Sequence, residues 1–155
     1  MTTLKKVLVL GISTAVLGAS SAALAQKAED LITFRQSGYK FMAWNMGRIK
    51  ANLDGKFNKD EVVQAANVIQ AIANSGMGKL YAPGTDKGKG WHETEVKPEL
   101  FTDGEGVRKV AKAFNEAANE MAKVAATGDA AAVKAQFGKL GSSCKGCHEK
   151  YRKED

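Results

Sequence analysis

Cysteine, histidine and proline are scarce in this chain of 155 residues, with two of each. Both cysteines and one histidine fall in a single pentapeptide near the C-terminus, Cys144-Lys-Gly-Cys147-His148. Two cysteines cannot build a disulfide scaffold, and a bridge between these two would close a ring too short to stabilise much. Zinc needs about four N, S or O ligands; beyond the pentapeptide the chain offers one other histidine, His92, alone in a Gly- and Lys-rich stretch. Apolar/polar alternation at a period of two is almost absent, which removes the βαβ setting that a thioredoxin-like Cys-x-x-Cys requires. Charge of one sign is also in short supply, at 23 Lys and Arg against 17 Asp and Glu. The basic residues are scattered among acidic ones with no aromatic-interleaved patch, so nucleic acid is not an expected partner. No nucleophile, base or carboxylate pair accompanies the pentapeptide, and an enzyme is not expected.

What is present in the pentapeptide is the attachment signature of a c-type haem. Two thiols three residues apart can add across the two vinyl groups of one porphyrin, and the adjacent imidazole then lies against one face of the iron. The expected cofactor is one covalently attached haem c. Whether the iron has a sixth ligand decides between carrying electrons and binding a gas.

Long apolar runs are missing except at the N-terminus. Residues 1–25 read as a cleaved secretory signal peptide: Lys5 and Lys6 form a basic region, Val7 to Val16 are nearly all apolar or small, and Ala23-Leu24-Ala25 offers a cleavage site before Gln26. A membrane anchor is the competing reading, but Gly11, Ser13, Thr14 and Gly18 break the stretch. The mature chain, residues 26–155, is then 130 residues with a formal charge of +4, one domain with no membrane span. The expected location is the bacterial periplasm. Its lysines read as solvated helix faces, some available to steer an acidic redox partner.

Period-3.6 patterning recurs four times. Leu31, Arg35, Tyr39, Met42, Met46, Ile49 and Leu53 share one face of a first helix, and Asn52-Leu-Asp-Gly55 stops it. Asn58 or Asp60 can cap a second, carrying Val62, Ala66 and Ile69, which Gly76 and Gly78 end. From Tyr81 to Glu105 the chain holds both prolines and no sustained period. That is a crossover long enough to cover a cofactor or to hide a short helix near Glu99 to Thr102. A third helix starts near Asp103 with Val107, Val110, Ala111, Phe114, Ala118, Met121 and Ala125 inward, and Thr127-Gly128-Asp129 is a turn. Asp129 caps a fourth, whose stripe of Val133, Phe137 and Leu140 continues into Cys144, Cys147, His148 and Tyr151. The expected fold is all-α, an antiparallel four-helix bundle with a long crossover between helices 2 and 3, of the kind that houses cofactors in its interior.

The leader, the four-helix layout, Arg35-Gln36, Tyr81-Ala-Pro-Gly-Thr85 and Cys144-Lys-Gly-Cys147-His148-Glu-Lys-Tyr-Arg152 together resemble the cytochromes c′ of the class II cytochromes c. The resemblance covers nearly all of the mature chain. It implies thioether bonds from Cys144 and Cys147, proximal ligation of iron by His148, Arg35 and Gln36 near a propionate, and Arg152 close to the proximal imidazole face. The residues themselves support Arg35, because an arginine in an apolar stripe needs a partner and its fork suits a carboxylate; the competing reading is a salt bridge. Gln36 and Arg152 read equally well as solvated helix residues.

Tyr39 falls where the family places a bulky side chain over the distal face, which implies a five-coordinate iron with a crowded vacancy. The alternative is an ordinary core tyrosine. The resemblance therefore implies a high-spin cytochrome that binds small diatomic gases, NO and CO, with a role in NO binding or protection and in electron transfer to an unidentified redox partner. The alternative is a low-spin, six-coordinate Met/His electron carrier of the same bundle family. Those relatives place the ligating Met near the start of the first helix, where this chain has Leu31, Phe34 and Arg35, with Met42 and Met46 farther along. Family members also pair as homodimers through helices 1 and 2, for which Trp44, Phe57 and Val63 are candidates; Phe34, Phe41 and Trp44 read as core or interface.

Overall fold

The computed structural model describes residues 27–154. The expected leader lies outside the described residues. Four helices follow in order: α1 (Ala28–Asp54), α2 (Lys59–Ala73), α3 (Gly104–Thr127) and α4 (Ala130–Tyr151), with 3₁₀ turns at Met77–Leu80 and Pro98–Phe101 in the crossover. The fold is the expected four-helix bundle. Among the described residues the only β-type pairings are two isolated bridges, Lys89 with Glu93 and Val96 with Arg152.

Local chemistry sets the boundaries. Asn58 accepts the N–H groups of Asp60 and Glu61 and so caps α2, a contribution of about 1 kcal/mol. Asn52 closes the preceding turn, donating to Arg48 O and Glu61 Oε2 while accepting the Asn58 N–H. Asp103 and Asp129 cap α3 and α4 through their carboxylates. The turn between them needs a left-handed residue, which Gly128 supplies at φ 78°. The short helix hidden in the crossover is the 3₁₀ turn Pro98–Phe101, begun by a proline whose missing N–H costs nothing there.

Packing runs around the bundle from α1 to α2, α2 to α3 and α3 to α4, but α1 and α4 scarcely touch. The core is built on Ile49, Val62, Ile69, Met121, Val133 and Leu140, each at most 1% exposed. Full burial of such side chains is worth roughly 1.5–3 kcal/mol each. Phe57 and Val63 are partly buried against this core, which leaves them little to offer a partner. Phe34, Phe41 and Trp44 are exposed on α1, so of their two readings the core one fails.

Candidate functional site

The seam between α1 and α4 opens into a cavity of about 1530 Å³, above the roughly 300–1,000 Å³ of most small-molecule sites. Its walls are mainly apolar, with Met42, Ile69, Val110, Phe114 and Leu140 among them. Cys144, Cys147 and His148 all line it, because positions i, i+3 and i+4 of α4 share a face. Both thiols are free and half-buried. Burial pushes the Cys144 thiol up, and burial together with the neighbouring Cys144 does the same for Cys147, so both remain protonated. Burial, then the Arg152 charge, lowers the His148 pKa against an opposing pull from Glu95. A neutral imidazole is the form that binds a metal.

The size and apolar lining of the cavity, with two reduced thiols and a neutral imidazole on one wall, fit a covalently held macrocycle. They do not fit the competing readings of the motif. The Cys-x-x-Cys lies well inside α4 rather than at a strand-to-helix junction. Among the described residues no group of three or more His, Cys, Asp or Glu side chains gathers to hold a metal ion on its own.

Tyr39 lines the cavity from α1. The residue is 40% exposed, yet the surrounding protein is dense enough that burial raises its phenol pKa, with further contributions from Cys147 and Cys144. The Tyr81 phenol acts on it and opposes that rise, and the Arg35 guanidinium lies over the Tyr81 ring at 4.8 Å. Burial also raises the Tyr81 pKa. Both phenols are therefore neutral across the physiological range.

Arg35 is 3% exposed. Its two terminal nitrogens donate to Leu80 O (3.2 Å), Thr85 Oγ1 (2.7 Å), Thr85 O (2.5 Å) and Thr94 Oγ1 (2.6 Å). These partners are neutral, so within the protein its burial is satisfied by carbonyls and hydroxyls and not by the salt bridge that was its competing reading. The cost shows as a pKa lowered by desolvation. Gln36 is likewise engaged with the crossover: its Nε2 donates to His92 O at 2.9 Å and its Oε1 accepts the Trp91 N–H at 2.8 Å. The backbone at Gly90 approaches α1 so closely that a Cβ there would stand 2.7 Å from Thr33 N.

Arg152, just past the end of α4, donates from Nε to Glu95 Oε2 at 2.6 Å, and both residues line the cavity beside His148. Thr85, Thr94, Glu95 and Tyr81 are the site residues that sequence reasoning left without roles. The Tyr81-to-Thr85 motif marked the neighbourhood of two of them. Thr94 and Glu95 lie where no periodicity operates.

A helical bundle that turns Cys-x-x-Cys-His into a large apolar cavity on its last helix defines a c-type haem protein of the four-helix class. Residues 30–152 match the family model for cytochrome c′. The chain belongs to the cytochrome c′ family, whose proteins carry one covalently bound haem c. It is 64% identical to a cytochrome c′ of Rhodocyclus tenuis over 83% of this chain and 98% of the relative. It superimposes with a TM-score of 0.81 on a cytochrome c′ with an unusual ligand-controlled dimer dissociation, 58% identical, covering 84% of this chain and 99% of the other. Variants of the Alcaligenes xylosoxidans cytochrome c′ with nitric oxide and with carbon monoxide bound are each 27% identical at a TM-score of 0.74, covering 83% of this chain and 98% of theirs.

Proposed function

We propose that the mature protein, residues 26–155, is exported to the periplasm and binds small diatomic gases, NO and CO, at a five-coordinate haem. In this reading Cys144 and Cys147 hold the haem by thioether bonds and His148 supplies the axial nitrogen. Arg35 and Gln36 lie on the propionate side and Arg152 beside the proximal imidazole. The haem supplies an iron with one open position. Tyr39 guards that position: a packed aromatic excludes water and offers no strong ligand. The observation that carries the reading is that Tyr39 lines the same cavity as Cys144, Cys147 and His148 from the opposite helix.

The six-coordinate alternative would need a methionine opposite His148. Met42, Met46 and Met77 line the cavity; Met42 belongs to the buried core and Met46 packs against it, where a thioether packs well, and the Met77 side chain lies against Gly38 of α1. Binding rather than turnover is the inferred role, with electron exchange with a redox partner as a second one. Visible spectra of the ferrous protein with and without CO or NO test this. A high-spin spectrum that changes with gas is expected, and a low-spin spectrum that ignores both gases would overturn the reading.

Pairing as a homodimer belongs to the same proposal. Phe41 and Trp44, both exposed on α1 and both bordering the cavity, stack at 5.5 Å, with Arg48 lying over the Trp44 ring at 5.0 Å. Such a preformed apolar plate supports a self-complementary contact through α1 and α2. Sedimentation at micromolar concentration is expected to give twice the mass of one haem-loaded chain.

A further inference from the structure

The crossover touches both walls of the cavity through two successive residues. Successive side chains of an extended stretch point opposite ways. Thr94, 6% exposed, accepts the Arg35 guanidinium of α1 at 2.6 Å. Glu95 accepts Arg152 Nε at the end of α4 at 2.6 Å. Backbone bonds lock this segment onto the end of α4: the Lys97 N–H donates to Tyr151 O at 2.9 Å and the Lys153 N–H to Glu95 O at 2.7 Å. Val96 and Arg152 form an antiparallel bridge between them. Glu95 is thus fixed on both sides, through its neighbour on α1 and through its own backbone on α4.

An exposed ion pair between two mobile side chains is worth little, because ordering them offsets the attraction. Here the carboxylate is already ordered by the backbone that carries it. Its energetic contribution to folding is small, but its effect on where Arg152 sits is not. Arg152 and Glu95 both act on the His148 imidazole, with opposite signs.

We infer that Glu95 is a positioning residue for the proximal side of the haem: it fixes Arg152 beside His148 and offsets the guanidinium charge there. This rests on the assignment of His148 as the axial ligand. Glu95 acts through Arg152. Orientation of a metal-bound histidine by the groups around it is a general means of tuning a metal centre.

The test is a double-mutant cycle on the haem-loaded protein, reading the reduction potential and the iron–histidine stretching band of the ferrous form. Glu95→Gln is expected to raise the potential and shift the band while helix content is unchanged. Glu95→Asp, which keeps the charge, is expected to return part of the way. In an Arg152→Gln background, Glu95→Gln is expected to produce a much smaller shift in the band. Equal shifts in both backgrounds, or no shift in either, would overturn the inference. A native protein that shows no iron–histidine band at all would instead remove the five-coordinate, His148-ligated haem of the proposed function, on which the inference rests.

Discussion

The two ends of the bundle contrast. At the closed end, around Ile49, Val62, Met121 and Val133, every inward side chain meets another and exposure falls to zero. At the open end the same periodic stripe continues through Val107, Val110, Ala111 and Phe114 on α3, yet these residues remain half-buried or exposed and border the cavity. An apolar stripe that protein does not cover is a stripe meant for something else. The means of holding the structure together differ as well. The closed end relies mainly on packing, with the Asn52 bonds at its turn, whereas the open end is stitched by Arg35 to Thr85 and Thr94, Gln36 to residues 91–92, Arg152 to Glu95 and Tyr151 to Asp103.

The largest break in this comparison comes from taking away what fills the open end. Replacing Cys144 and Cys147 together by Ala is expected to abolish covalent haem, read as complete loss of haem staining on a denaturing gel. Retained stain would mean the macrocycle is anchored elsewhere. Next in size is a truncation at each end. Ile49→Ala at the closed end is expected to cost roughly 2–5 kcal/mol in chemical denaturation, in line with buried aliphatic truncations. Val110→Ala, made in protein lacking haem, is expected to cost less than about 1 kcal/mol, since its side chain there faces open space and few atoms lose partners. Equal losses at the two sites would erase the distinction.

The contrast was only half legible in the sequence. Periodicity located all four helices, and Asn58, Asp103 and Asp129 marked three starts, because caps and amphipathic faces are local properties written in consecutive residues. The motif likewise placed Cys144, Cys147 and His148 on one helical face. Periodicity could not tell a stripe that packs from one that lines a cavity, since Phe114 and Met121 look alike in sequence. Nor could it assign partners in the crossover. Arg35 reaches Thr85 and Thr94 across fifty or more residues, and nothing local in those threonines announces it. The same applies to Gly90, whose requirement for a missing side chain arises only from the approach of α1.

Within the open end, the proposed guard of the vacancy is Tyr39. Tyr39→Ala is expected to speed CO association with the ferrous protein by on the order of tenfold, about 1.4 kcal/mol off the barrier. Stopped-flow mixing measures it. Tyr81→Phe removes the hydroxyl that acts on the Tyr39 phenol and is expected to move the rate in the same direction by less. A Tyr39→Ala rate equal to that of the native protein would mean the tyrosine is plain core and the vacancy is guarded by something else.

The smallest effect expected is one of pH, and it should be confined to the stitched end. Tyr151 donates its hydroxyl to Asp103 Oδ2 at 2.6 Å. That bond, followed by the Gly106 N–H, holds the Asp103 carboxyl below the usual carboxylate range, while the same bond pushes the Tyr151 phenol up to about 12. A carboxylate with a depressed pKa in the folded protein takes up its proton later than in the unfolded chain as pH falls. Its contribution is therefore complete above the ordinary Asp value of about 3.9 and disappears as pH drops from there through the depressed value. Hydrogen exchange over residues 97–107 and around Tyr151 is expected to accelerate across that acid window before the closed end responds. Tyr151→Phe removes the leading cause of the depression, so its melting temperature is expected to depend less on pH over the same window than that of the native protein. If Tyr151→Phe kept the full acid dependence, the carboxylate would owe its depressed pKa to the Gly106 N–H instead, a bond within the first turn of α3 that does not tie that helix to α4.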